Sequence, residues 1–272
     1  MPQLLIEALQ GTNVVPIDYP QYQLVSFTKG QELKFNARVT ERPAISVGSY
    51  KTIKVARPAL KQITDADVDK VIGDLYNRWK VRNPQQAQPT ATAQTPEAQV
   101  PDDVFAQAVG ATSLADLKTK IRQDLEAEAK YNNELDYEEA ILQEVEKITT
   151  VDIPDILIDD ELNRMLVSLQ RSVSDRGLLM DEYLRGQNKT VDQLKREWTP
   201  QAEKNVRMEL GLSEVARQEG VNIADEELQA EIDKIQDQKV KAQFQSQEPR
   251  MHLRHALRQT KTLNLLKTLV GA

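Results

Sequence analysis

Cysteine is absent from this sequence of 272 residues. Disulfides, thiol chemistry and cysteine-based zinc sites are therefore excluded, and the composition suits a reducing compartment. Aromatic residues are few, at 5%, and glycine occurs only 10 times, whereas charged residues reach 28%. That balance is typical of long, solvated helices rather than of one compact globule.

Long apolar stretches are missing as well. No run of about 18 apolar residues occurs, so no transmembrane helix is expected. The first residues, MPQLLIEALQ, lack a basic region and carry Glu7 inside a short apolar run, which is unlike a signal peptide or an anchor. We therefore expect a cytoplasmic protein with no membrane partner.

The charge balance also disfavours nucleic acid as a partner. The net charge is −7 at pH 7, and direct nucleic-acid binding depends on cations that neutralise phosphates. The length allows one to three domains and an ample hydrophobic core.

Residues 151–232 carry the clearest pattern in the chain. Apolar residues recur on one helical face across 158–173, and Pro154 suits the first turn of that helix. Gly177 and Gly186 interrupt the pattern. These features predict a helix followed by a short connection that contains the two glycines.

A second helix is predicted to start at Thr190, which forms a capping-box motif with Gln193. Gly220 is placed to be its C′ residue. Acidic residues at 225–227 then open a third helix, where the helix dipole favours them. The pattern predicts three connected helices and indicates no reaction.

The order and spacing of residues in 151–232 resemble the C-terminal domain of trigger factor, a family of bacterial chaperones that meet nascent chains. The matching residues are Val151, Asp152, Ile153, Pro154, Gly177, Asp181, Glu182, Tyr183, Leu184, Lys189, Thr190, Leu194, Trp198, Ala202, Glu203, Val206, Leu210, Leu212, Glu214, Ala216, Glu219, and Ile223 to Leu228. The resemblance implies a mainly α fold with a small α+β N-terminal part, and a helical, crevice-bearing chaperone domain with two arms.

Residues 1–43 are expected to form a partial N-terminal segment, with the end of a helix followed by strands at 21–28 and 32–41. The segment resembles the second half of the family's ribosome-docking domain. The family's docking signature, a Gly-Phe-Arg-x-Gly-Lys loop, does not occur in this sequence. Three explanations stay open: a late gene start, a loss of direct docking to the ribosome, or a true start upstream of Met1.

Residues 44–80 are expected to form a linker strand at 50–60 and then a helix. The helix starts at Thr64, which forms a capping-box-like motif with Asp67, and it ends near Lys80. In the family, the matching strand and helix lead into a peptidyl-prolyl isomerase domain.

In this chain a Pro/Gln-rich tract follows instead, and we expect residues 81–101 to be a flexible tether. Such a composition cannot bury enough apolar surface to become ordered. A domain normally needs about 50 residues or more. We therefore expect the isomerase domain to be absent and the protein not to be an enzyme.

Residues 102–272 are expected to form the helical chaperone domain. A long helix should start at Ser113, with a break in the more polar stretch 130–139. The last helix should start at Pro249 and end at Gly271.

The sequence offers little for catalysis or metal binding. His252 and His255 have the i, i+3 spacing of a helical metal site, but no third ligand is evident, and two surface histidines are the simpler interpretation. The acidic clusters 159–161 and 225–227 lie in first turns, where acids are expected for structural reasons. We predict no catalytic residues, no metal and no cofactor.

The candidate functional residues are apolar side chains that could hold unfolded polypeptides through weakly specific contacts. The candidates for client binding are Met165, Leu178, Leu179, Met180, Tyr183, Leu184, Met208, Phe244 and Met251. For each of them the alternative is ordinary packing between helices, because apolar residues at helical spacing are usually buried.

The leading hypothesis is an ATP-independent holdase for unfolded or nascent polypeptides, as the resemblance implies, and the ribosome stays an open partner. The alternative is a helical interaction protein that binds a dedicated partner or itself, since the partial domain at 1–43 would leave an open sheet edge. A prolyl isomerase is the third alternative and rests on the family label alone.

Overall fold

The computed structural model describes residues 2–12, 14–26, 33–83 and 101–270. Within these ranges the chain forms ten α-helices and four short strands. The predicted mainly α fold with a small α+β N-terminal part is confirmed. The chain divides into a first unit, Met1–Lys54 with Ile141–Ala272, and a second unit, Val55–Ala140.

The first unit opens with a short helix and a β-hairpin. α1 (Pro2–Leu9) is followed by Gly11 at a φ of +85°, a conformation that glycine adopts readily. β1 (Gln21–Ser26) pairs antiparallel with β2 (Lys34–Arg38). Both strands were predicted, and residues 27–32 between them lie outside the described ranges.

A second, smaller ladder joins distant parts of the chain and was not predicted. β3 (Ile45–Val47) pairs antiparallel with β4 (Thr149–Val151). After β3 the backbone makes a 3₁₀ turn over Tyr50–Thr52 instead of the linker strand predicted for 50–60. The prediction was wrong because Tyr50 is buried and hydrogen-bonded, which curls the backbone around its side chain.

Six helices complete the first unit, and the third of them is central. They are α5 (Asp155–Asp175), α6 (Met180–Gly186), α7 (Val191–Gln218), α8 (Asp225–Asp233), α9 (Gln238–Gln243) and α10 (Gln247–Val270), whereas α2, α3 and most of α4 belong to the second unit. α7 packs against α5, α10, β3 and β4. It therefore organises this unit.

The boundaries of α7 follow the sequence signals closely. Thr190 Oγ1 accepts a hydrogen bond from the Gln193 N–H at 3.2 Å, and Gln193 Oε1 accepts one from the Thr190 N–H at 2.9 Å. Gly220 ends the helix with a φ of +64°. The predicted capping box and C′ glycine are confirmed. The predicted stop of α10 at Gly271 lies outside the described residues.

The second unit is built from α2 (Asp65–Arg82), α3 (Asp103–Ala108) and the first part of α4 (Leu114–Ile148). Its core is rich in aromatic contacts: the Tyr76 ring meets Phe105 edge-on at 5.1 Å and stacks on Trp79 at 5.8 Å between centroids. The predicted capping box at Thr64 is present. Ser113 Oγ accepts from the Asp116 N–H at 3.2 Å at the start of α4.

α4 runs without the break that was expected at 130–139. The stretch is polar because most of it faces solvent, whereas Tyr137 is buried with the Arg57 guanidinium 4.7 Å above its ring. Asn133 Nδ2 also donates to the Pro58 carbonyl at 2.8 Å. The Glu, Lys and Leu residues of the stretch are good helix formers, so propensity and these contacts keep the helix continuous.

The predicted segment boundaries 1–43, 44–80, 81–101 and 102–272 stay predictions. α2, which was placed with the linker, packs with α3 and α4 in the second unit. Residues 84–100, most of the predicted tether, lie outside the described ranges.

Candidate functional site

Each of the two histidines lies beside a glutamate side chain. His255 Nε2 lies 3.2 Å from Glu209 Oε1, and His252 Nε2 lies 3.9 Å from Glu248 Oε1. Within the described residues, no group of three or more His, Cys, Asp or Glu side chains is arranged to hold a metal. In the same ranges no helix is long and apolar enough to cross a membrane.

Members of both acidic clusters contact neighbouring helices through hydrogen bonds or ion pairs. Glu161 accepts a hydrogen bond from Asn205 on α7 at 2.7 Å and pairs within α5 with Arg164 at 3.0 Å. Glu227 pairs with Lys261 at 2.8 Å, and Asp225 pairs with Arg254. These contacts give the clusters a role in joining helices of the first unit.

The approach of β4 to α7 depends on a glycine. A Cβ atom at Gly211 would lie 2.2 Å from Thr149 Oγ1 and 3.2 Å from Val145 Cγ1. Thr149 Oγ1 is itself held, because it donates to the Val145 carbonyl at 2.6 Å. The strand and the helix therefore pack at a distance that only glycine permits.

A partly buried polar network lies at the C-terminal end of α7. The Tyr50 hydroxyl donates to Glu219 Oε1 at 2.5 Å, and Lys51 Nζ lies 2.7 Å from the same oxygen. Burial, followed by the bond to Glu219, raises the pKa of Tyr50 to about 12, while the Lys51 contact holds the pKa of Glu219 below its usual range. One turn earlier, Arg217 makes two bonds to Glu214, at 2.7 and 2.8 Å.

The exposed apolar residues between α5 and α6 arise from the way α5 ends. Gly177 has a φ of +74°, and its N–H donates to the Ser174 carbonyl at 2.8 Å. The next N–H, from Leu178, reaches back to the Val173 carbonyl at 3.1 Å. This is a Schellman motif, which turns the chain sharply and leaves Leu178 45% exposed.

α6 begins with an apolar residue at its N-cap. Leu179 occupies that position, is 67% exposed, and makes no side-chain capping bond. Ser, Thr, Asp or Asn at an N-cap typically stabilises a helix by about 1 kcal/mol over a residue that cannot accept a bond. An apolar side chain therefore stands in water at a position where a polar one would stabilise the fold.

Four of the predicted client-binding residues lie together at this turn. Leu178 and Leu179 are exposed, while Met180 and Tyr183 on the first turns of α6 are half-buried. We call Leu178, Leu179, Met180 and Tyr183 the apolar corner.

Leu184, which was predicted with this group, is only 8% exposed. α6 ends directly after it with Asn188 in the left-handed conformation, at a φ of 52°, and the Lys189 N–H bonds back to the Leu184 carbonyl at 3.1 Å. The inward face of this short helix therefore carries Leu184 into the core. A client cannot reach it in this conformation, and we leave it out of the apolar corner.

The remaining candidates are spread over the first unit. Met165 on α5 and Met208 on α7 are half-buried. Phe244, at the end of α9, packs against the buried cluster of Ile223, Leu228 and Ile232. Met251 on α10 is 54% exposed.

Sequence patterns missed two features of this unit. Leu24 is 57% exposed on the β-hairpin, next to Tyr22 and Phe35, whose rings lie 5.8 Å apart. A groove also forms between α8, α9 and α10, with Arg250 and Lys241 in its lining. Strand alternation marks the first feature, whereas the second depends on helix packing that leaves no local signal.

Comparison with known proteins identifies the family of this chain. The model described as "Bacterial trigger factor protein (TF) C-terminus" matches residues 113–268, and the one described as "Bacterial trigger factor protein (TF)" matches residues 1–75. The chain belongs to the trigger factor family. The resemblance seen in residues 151–232 is thereby confirmed.

Individual trigger factors are distant relatives in sequence. The trigger factor of Moorella thermoacetica is 22% identical over 315 residues, covering 86% of this chain and 70% of that protein. The trigger factor of Carboxydothermus hydrogenoformans is 24% identical over 316 residues, covering 86% and 74%. A solved trigger factor chaperone, from work on promiscuous substrate recognition in folding and assembly, is 16% identical with a TM-score of 0.47 and covers 99% of this chain and 82% of that one.

Membership of the trigger factor family gives the class of activity. The protein is a molecular chaperone that acts in protein folding without ATP. The described residues include exposed apolar surface at the turn between α5 and α6, which the backbone bonds of the Schellman motif hold in place.

Proposed function

We propose that this protein is a holdase that binds unfolded or nascent polypeptides through the apolar corner. The observation that carries the proposal is Leu179, an exposed apolar residue at a helix N-cap, beside the exposed Leu178. An apolar side chain at that position lowers the stability of α6 relative to a polar cap, and contact with another molecule would account for a leucine there.

The chemistry of the corner suits clients of many sequences. Leucine and methionine side chains are flexible, and burying apolar surface contributes roughly 25 cal/mol per Å² without demanding a particular partner geometry. Each contact is weak, so a client would be held at several points and released without an energy source. This supports binding of unfolded chains in general rather than of one folded partner.

The test is light scattering of a chemically unfolded client diluted into buffer with and without the protein. Wild type should suppress aggregation at near-stoichiometric ratio in the absence of ATP. The double variant Leu178→Ser with Leu179→Ser should bind the client about tenfold more weakly, because two exposed leucines lose their apolar contact.

Leu60→Ser is the matched control, since Leu60 is also an exposed leucine, at 47%, in the second unit. That variant should protect the client as wild type does. Full protection by a folded double variant would remove the apolar corner from the site. No protection by wild type across several clients would favour a dedicated partner instead.

We also infer that the chain has no isomerase domain. Only residues 76–112 separate the two stretches matched by the family models, fewer than the roughly 50 that a domain needs. The alignments to the relatives span 315 and 316 positions, more than the 272 residues of this chain, so those proteins carry segments without a counterpart here. Turnover in a proline-isomerisation assay would overturn this inference.

Contact with the ribosome is a separate part of the proposal. The docking signature of the family does not occur in this sequence, and the proposed client binding through the apolar corner does not depend on it. Co-sedimentation with ribosomes at low salt would reveal docking by another surface.

A second candidate function is self-association through the β-hairpin. Pairing of Tyr22 with Ala37 and of Leu24 with Phe35 puts these four side chains on one face, and Leu24 is largely exposed there. A two-stranded sheet is marginal in water by itself, and a second copy of the chain would cover that face. Sedimentation should then show a dimer at micromolar concentration that Leu24→Ser dissociates, and a monomeric wild type would exclude it.

A further inference from the structure

The groove between α8, α9 and α10 differs in character from the apolar corner. It has a volume of about 560 Å³, within the range of small-ligand sites. Its lining residues are Gln229, Ile232, Gln238, Lys241, Ala242, Phe244, Gln245 and Arg250. Both charged residues in this lining are cations, in a chain whose net charge is −7.

Arg250 keeps its charge available for a ligand. Its Nη1 donates to the neutral amide oxygen of Gln229 at 3.1 Å, and among the described residues no carboxylate lies within ion-pair distance of it. Arg250 is half-buried as a residue, and a guanidinium that is held by a neutral partner has further N–H donors for a carboxylate, which it can bind with two parallel bonds.

Three acidic residues, on α8, on α10 and at the N-cap of α9, already contact other groups. Asp233 pairs with Lys241 at 2.8 Å. Asp237 caps α9 by accepting from the Lys239 N–H at 2.8 Å, and Glu248 faces His252 at 3.9 Å. Lys241 is therefore already paired with a carboxylate, whereas Arg250 is held by a neutral amide and is the cation that can meet an anionic ligand.

The apolar part of the groove lies at Phe244. This ring packs against the cluster of Ile223, Leu228 and Ile232, so its position is fixed by the core beneath it. Ile232 and Ala242 extend the apolar surface into the lining. An apolar side chain could lie against Phe244 while an anionic group meets Arg250.

We propose that this groove binds polypeptide segments in which an aromatic or aliphatic residue stands next to a carboxylate. The apolar side chain packs against Phe244, and the Asp or Glu carboxylate accepts hydrogen bonds from Arg250. The inference rests on the proposed function in one respect, that the ligand is a stretch of unfolded polypeptide. It adds a sequence preference that the apolar corner cannot provide.

The test uses fluorescence anisotropy with short dye-labelled Gly/Ser peptides that carry a central Phe-Asp, Phe-Asn or Phe-Lys pair. Wild type should bind Phe-Asp about five- to tenfold more tightly than Phe-Asn, and more tightly again than Phe-Lys. Added salt should narrow the difference, because it screens a partly exposed pair. Arg250→Gln should bind Phe-Asp and Phe-Asn alike.

Two controls keep the result interpretable. Arg196→Gln removes an exposed arginine on α7 that does not line the groove and should leave the preference unchanged. Arg250→Glu should reverse the preference toward Phe-Lys, which a merely unfolded variant cannot do. Equal affinity of wild type for the three peptides, or an unchanged preference in Arg250→Gln, would overturn the proposal.

Light scattering with the same variants separates this inference from the holdase proposal. Protection of clients without peptide preference would reject the groove and leave the holdase function standing. An Arg250-dependent preference without protection of any client would reject the holdase and support the groove.

Discussion

Two neighbouring helices of the first unit, α6 and α7, begin with opposite kinds of N-cap residue. α7 starts with the full capping box of Thr190 and Gln193, whereas α6 starts with Leu179, an exposed leucine that caps nothing. The same chain therefore satisfies backbone donors where it builds its framework and forgoes that stabilisation at the apolar corner. The proposed client binding at the apolar corner would account for this difference, because an exposed leucine serves contact with a client and not the stability of α6.

The largest change in stability is expected from Gly211→Ala, at the close contact between β4 and α7. Alanine normally stabilises a helix interior by up to about 1 kcal/mol over glycine. Here its Cβ would meet Thr149 Oγ1 at 2.2 Å, so we expect a net loss of about 2 to 3 kcal/mol in the free energy of unfolding. Denaturant titration of the folded protein measures this.

Gly73→Ala in α2 is the control for that substitution, because an added Cβ there meets nothing within 4 Å. It should raise stability by a few tenths to about 1 kcal/mol. Thr149→Ala combined with Gly211→Ala should recover part of the loss. A neutral Gly211→Ala would mean that the contact between β4 and α7 is loose.

The next effect should come from alkaline pH acting on Tyr50. The pKa of this residue is raised from 10.0 to about 12 in the folded protein, so the unfolded chain loses the proton first. The stabilisation is therefore complete below pH 10 and is lost as the pH rises toward 12. Unfolding of wild type and of Tyr50→Phe should be compared across pH 9 to 12.

The wild type should lose stability more steeply than Tyr50→Phe over that interval, since the other titrating groups are common to both proteins. Parallel curves would indicate that the buried hydroxyl and its bond to Glu219 are not maintained in solution.

A smaller effect is expected at the polar cap. Thr190→Ala removes the acceptor for the Gln193 N–H and should lower the free energy of unfolding by about 1 kcal/mol. Client protection should be unchanged at a temperature where the variant stays folded. Thr190→Ser, which keeps the hydroxyl, should restore the stability.

The smallest change in stability, and the sharpest test of the comparison, is Leu179→Asp. Aspartate can cap α6 and favours the helix dipole, so the free energy of unfolding should rise by about 0.5 to 1 kcal/mol. Client protection in light scattering should fall at the same time. A variant that is both more stable and fully active would break the contrast between α6 and α7.

Local signals predicted much of the helical framework and little of the site. The capping motifs at Thr64 and Thr190 and the stop at Gly220 were visible because each depends on residues within one helical turn. The β3–β4 ladder was not, because each strand has only three residues and its partner lies about a hundred positions away. The exposure of Leu179 and the burial of Leu184 depend on how α6 packs, and apolar spacing alone does not distinguish them.

The β3–β4 ladder can form only late in the synthesis of the protein. Val47 can pair with Thr149 only after the whole of Val55–Ala140 has been translated. At roughly 5–20 residues per second, that delay is on the order of ten seconds, long enough for the intervening unit to fold first. A molecular chaperone therefore passes through an interval of its own synthesis as an incomplete chain with an unpaired strand.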